Sequence, residues 1–137
     1  MTSGRLGKHR WCRLHDPIYD YEHFAFVGPH TNLESALKGV LPPSYMKVIG
    51  DGFKDDSEGR CVRRQVSKAT SPNITFNVLW ANTDKSDDVL ACLVHEMVHA
   101  ATFTLDYVDV KADWANDEPL TYYVMWLFKH MKRGLKL

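Results

Sequence analysis

Ser86-Asp87-Asp88-Val89-Leu90-Ala91-Cys92-Leu93-Val94-His95-Glu96-Met97-Val98-His99-Ala100-Ala101-Thr102-Phe103-Thr104-Leu105 is the stretch from which the rest of the chain can be read. Its apolar residues Val89, Leu90, Leu93, Val94, Met97, Val98, Ala101 and Leu105 recur at three- and four-residue steps with no Gly or Pro between them, which predicts a long, largely buried helix. Thr83, Asp84 and Ser86 are candidate N-caps, and Asp87 and Asp88 suit the positive end of the helix dipole.

Inside that helix stands His95-Glu96-Met97-Val98-His99. Residues i and i+4 share a helix face, so two imidazoles can reach one tetrahedral ion, while Glu96 stands beside them as a general base for water rather than as a ligand. A single histidine at such a position is usually a satisfied core or boundary side chain. Two histidines flanking a glutamate on a buried helix reverse that reading, because burying all three without an ion or a network is costly.

A catalytic zinc needs a third protein ligand and an open position. Downstream acids are Asp106, Asp109, Asp113 and Glu118, with Asp117 adjoining the last; His130 lies far along, in the basic stretch Lys129 to Arg133. Glu118 is the preferred ligand, because it opens a second helical pattern, Leu120, Tyr123, Val124, Leu127, Phe128 and Met131, whose apolar face must pack on something. Asn116-Asp117-Glu118-Pro119 equally has the form of a plain helix start, with Asn as cap, acids on the dipole and Pro in the first turn.

These residues resemble the gluzincins, two-His-one-Glu zinc peptidases related to thermolysin. More closely, His95 to Ala101 followed by Asp117-Glu118-Pro119-Leu120-Thr121-Tyr122 resembles small bacteriophage-encoded gluzincin-like metallopeptidases, a similarity that covers the C-terminal half. The resemblance implies an α+β, minimal zincin-like fold: a small mixed sheet packed on the HExxH helix, with a C-terminal glutamate helix behind it. It implies Zn2+ on His95, His99 and Glu118, Glu96 as base, and a strand before the zinc helix whose backbone, near Asn77 to Trp80, would pair with an extended substrate. Thermolysin-type members carry an Asp four residues after the ligand Glu, and this chain has Tyr122 there, so another group must orient His95 or His99. Of the phenols Tyr107, Tyr122 and Tyr123, Tyr122 is assigned as oxyanion donor and Tyr123 to the apolar stripe.

The resulting expectation is a zinc metallopeptidase acting on a peptide or protein substrate. The alternative is a catalytically inactive zincin-like protein serving as a phage structural or host-modulating component, with a phage or host protein as partner. His95 to Ala101 also resembles the start of SprT/Spartan DNA-associated proteases, but those use a downstream His-Gly that Tyr107 to Leu120 lacks, and this reading ranks lower.

At 137 residues and 45% hydrophobic content, one domain spanning 1–137 is expected. Lys plus Arg equals Asp plus Glu at 17 each, so no global field points to nucleic acid or an anionic membrane, and neither is an expected partner. Basic residues do cluster at both ends and from Arg60 to Lys68. Residues 1–16 read as a flexible basic segment without the apolar core of a secretory signal, and no apolar run is read as spanning a bilayer, so a cytoplasmic protein is expected, in the host cytoplasm if phage-encoded. Cys12, Cys61 and Cys92 lack metal-knuckle spacing, which fits a reducing compartment; Cys92, near the histidine face, reads as a structural thiol with a soft ligand as the alternative.

Upstream, Thr31-Asn32-Leu33-Glu34 has capping-box form and opens a short helix over Leu33, Ala36, Leu37 and Val40, stopped by Pro42-Pro43. Strands are expected at Tyr45 to Ile49, Arg60 to Val66 and Ile74 to Trp80, with a further short one at Phe24 to Val27. The acidic turn Asp55 to Glu58 reads as a solvated loop.

Overall fold

Two segments are buried along nearly their whole length, Tyr21–Gly28 (β3) and Ile74–Asn82 (β5), as strands covered on both faces must be. In the computed structural model, which describes residues 1–67 and 73–137, these strands lie parallel at the centre of a five-stranded mixed sheet. The order is β1-β2-β3-β5-β4, where β1 is Thr2–Leu6, β2 is His9–Asp16 and β4 is Gly59–Val66, and every other pairing is antiparallel. Lys68 lies outside the described residues.

The N-terminal segment expected to be flexible is a β-hairpin. β1 pairs with β2 from Thr2 opposite Arg13 to Leu6 opposite His9, and β2 pairs in turn with β3. Gly7, at φ 57°, supplies the positive φ that a two-residue hairpin turn needs at its first central position. Every β1 residue is exposed, so the strand is held by backbone pairing and shows no apolar alternation.

Four helices cover the sheet among the described residues. Leu33–Val40 (α1) forms where its apolar spacing places it, although Asn32, not Thr31, is its N-cap and makes no side-chain cap bond. Pro43–Ile49 (α2) replaces the strand expected from Tyr45 to Ile49. Pro43 sits at the first helical position, where a missing N–H is no loss, and the Pro42 carbonyl accepts from Tyr45 and Met46 N–H. α1 and α2 pack on Phe24, Phe26, Phe76, Val78 and Trp80; the opposite face, with Cys12, Leu14, Ala25, Val27, Leu79 and Ala81, receives Val89–Tyr107 (α3) and Glu118–Leu135 (α4).

α3 begins later than its cap candidates suggest. Asp88 is the N-cap, its Oδ1 accepting from the Ala91 N–H at 3.0 Å. By length and composition α3 is apolar enough to cross a membrane, which corrects the reading that no such run exists, yet its buried side packs on the sheet and α4 as a core helix does. β5 is hydrogen-bonded on both sides, so the backbone from Asn77 to Trp80 is no edge; on the side of α3 the open edge belongs to β4.

A chain of buried polar groups joins the layers. Tyr123 Oη on α4 donates to Asp16 Oδ2 at 2.7 Å and lies 2.8 Å from His23 Nε2 on β3. Asn77 Nδ2 on β5 is 3.3 Å from His23 Nδ1, 3.0 Å from the Ala100 carbonyl and 3.2 Å from Thr104 Oγ1 on α3. The donors fix one arrangement: Nε2–H of a neutral His23 donates to Tyr123, and Nδ1 accepts from Asn77.

Candidate active site

The spacing of His95 and His99 places both imidazoles on the solvent-facing side of α3, where their Nε2 atoms stand 3.1 Å apart and their ring planes cross at 75°. The two rings hydrogen-bond to one another at this distance, and since two nitrogens bound to one tetrahedral ion at about 2.05 Å each lie about 3.3 Å apart, a zinc ion can replace that bond with little movement. The donor set, neutral imidazole nitrogens, fits that metal.

Glu96 turns the other way. It is 6% exposed and lies against the start of β4, where burial raises its carboxyl above the ordinary value while His95 and Arg60 partly oppose that shift. Gly59 makes this approach possible: a Cβ there would lie 2.5 Å from Cys92 Sγ, 2.9 Å from the Trp80 carbonyl oxygen and 3.1 Å from Glu96 Oε1. Cys92 is half-buried and free, its Sγ donating to the Glu58 carbonyl at 3.1 Å, with burial raising its thiol above the ordinary value. Cys61 on β4 is also free, and its thiol is raised by burial and then by Glu96.

Phe103 stands one turn beyond His99 on the same helix. Its ring stacks on the imidazole at a centroid distance of 6.3 Å and carries the Arg63 guanidinium 5.4 Å from its own centroid. Arg63 on β4 also donates to the Phe103 carbonyl and pairs with Asp106, fastening the edge strand to the C-terminal half of α3. Phe103, Arg63 and Gly59 were not singled out from the sequence; the i, i+4 step from His99 to Phe103 was the available signal.

Glu118 is the first residue of α4 and is exposed, with Asp117 as an N-cap that makes no side-chain bond. Among the described residues no three His, Cys, Asp or Glu side chains gather as a metal-binding group, so the structure brings His95 and His99 together and does not bring Glu118 to them. Tyr122, one turn after Glu118, is 62% exposed, whereas Tyr123 is buried as its place in the apolar stripe required. Asp106, Asp109 and Asp113 line a cavity of about 440 Å³ between the end of α3, the 108–117 connection and Leu120. A cavity of about 680 Å³ lies on the opposite face of the sheet, between α1 and α2, and holds none of these residues.

Comparisons with family models, with curated proteins and with solved structures found no match to this chain.

Proposed function

We propose that the protein is a zinc-dependent metallopeptidase of minimal zincin-like fold, with His95, His99 and Glu118 as ligands, Glu96 as general base and Tyr122 as oxyanion donor. The observation that carries this reading is the 3.1 Å approach of the two Nε2 atoms on one face of α3. A zinc ion bound there supplies Lewis acidity toward water and toward a scissile carbonyl. Glu96, as the carboxylate, takes the proton from water and delivers it to the leaving amine, its burial making that carboxylate a stronger base than a free one. Glu118 and Tyr122 lie one turn apart on one side of α4, so a shift of the 108–117 connection that delivers one to the histidine pair delivers both. The open edge of β4, fastened beside α3 at Gly59 and Arg63, takes the platform role for extended substrate that the resemblance had given to β5.

A second reading, a non-catalytic protein in which the same pair is vestigial, is favoured by the absence of a third gathered ligand among the described residues. Hydrolysis of a mixed-sequence peptide library by zinc-loaded protein separates the two. Cleavage that Glu96→Gln abolishes while zinc content stays unchanged supports the enzyme; zinc binding without cleavage supports the second reading.

A further inference from the structure

The balanced net charge conceals a segregation that only the fold exposes. The sheet brings the N-terminal hairpin against the last turns of α4, where Arg10 Nη1 donates to the Lys136 carbonyl at 3.0 Å. Arg5 and Arg10 are directly opposite in the β1–β2 register and share the sheet face that carries α4, since Cys12 on that same face packs in its core. Lys8 stands in the turn beyond them, and Lys132, Arg133 and Lys136 are exposed on the facing end of α4.

No carboxylate among the described residues lies within ion-pair distance of any of these six cations. Elsewhere the cations are mostly engaged: Arg13 with Glu22, Lys38 with Glu34, Lys54 with Asp51, Arg60 with Asp55, Arg63 with Asp106 and Lys85 with Asp56. The helix dipole accounts for Lys132 and Arg133 in the last turn of α4. It does not account for two arginines set opposite one another, a like-charge pairing that destabilises a sheet unless an anion screens it.

We propose that this corner binds the phosphate backbone of a nucleic acid without reading its bases. Cations without a carboxylate partner, carried on a hairpin and the helix end beside it, suit a run of phosphates, and release of counterions drives association. A bilayer would be held by apolar anchors projecting among the cations. Here the hairpin offers only Leu6 and Met1, partly exposed at 39% and 57% and each touching a helix glycine, Gly39 and Gly134. The site is independent of the metal centre.

The test is fluorescence anisotropy of a labelled oligonucleotide, duplex and single-stranded, titrated with the full chain over a range of salt. At about 50 mM salt binding in the micromolar range is expected, with log Kobs falling against log salt at a slope of about −5.4 for duplex and about −4.2 for single-stranded oligonucleotide when all six cations are engaged. Arg5→Glu with Lys132→Glu weakens binding at least about tenfold, and Lys8→Glu with Lys136→Glu serves if the first pair fails to fold. Lys47→Glu with Lys111→Glu, the same change in net charge placed elsewhere, leaves affinity within about twofold. The proposal is overturned if neither nucleic acid binds at low salt, if the corner variants bind as the control does, or if only phosphatidylserine vesicles are bound.

Discussion

Gly59 is the residue on which the proposed site turns most sharply. Its missing side chain is the space into which Cys92 Sγ and Glu96 Oε1 pack, and the Trp80 carbonyl allows no relief from the backbone side. Gly59→Ala therefore forces α3 away from β4, at a cost of about 1–3 kcal/mol. Chemical denaturation measures that loss, and an unchanged midpoint would show that the contact is slack. Glu96 answers to a different measurement. Glu96→Gln keeps size and shape, so folding and metal content stay unchanged while hydrolysis of the peptide library falls by at least about a hundredfold.

At the scale of elements, α3 is held to the sheet and to α4 by the buried chain Asp16, Tyr123, His23 and Asn77. Tyr123→Phe strips His23 Nε2–H and Asp16 Oδ2 of their shared partner and should cost about 1–3 kcal/mol. Burial also lowers the His23 pKa from 6.5 to about 3, so the network requires the neutral ring. The histidine binds its proton more readily when unfolded, so its contribution is complete above pH 6.5 and is lost as pH falls from there toward 3, by up to a few kcal/mol. Stability measured between pH 7 and pH 4 should fall along that window and fall less in His23→Gln; equal slopes in both proteins would contradict the assignment.

Elements of this kind differ in how much of them the sequence discloses. α3 and α4 are plain in their three- and four-residue spacing, because each buries one face on a common core, and so is the mid-motif position of His95, Glu96 and His99. Tyr45 to Ile49 misleads, since a short segment with four apolar residues around Lys47 fits a strand as well as a short helix, and only Pro43 at the first helical position tips it. β1 is invisible to periodicity because none of its side chains is buried. The neighbour of Glu96 is set by tertiary approach, through a glycine on β4 that no linear pattern announces, whereas Phe103 follows from its i, i+4 step to His99.

For the whole molecule, the arrangement couples a histidine pair on the outer side of α3 to an acidic helix start that stands apart from it, across the 108–117 connection. A metal that draws Glu118 in would bind the folded chain alone and so stabilise it. At a hundredfold excess over Kd the gain is about 2.7 kcal/mol, or about 10 °C in Tm for a chain of this length. Glu118→Gln should remove most of that gain, and a full gain in that variant would assign the third ligand elsewhere. The most direct measurement is the metal content of the purified protein by elemental analysis, taken beside His99→Ala. One zinc per chain in the native protein and none in the variant is the predicted result; no zinc in the native protein after loading, or an equal amount in both, would contradict a metal site on His95 and His99.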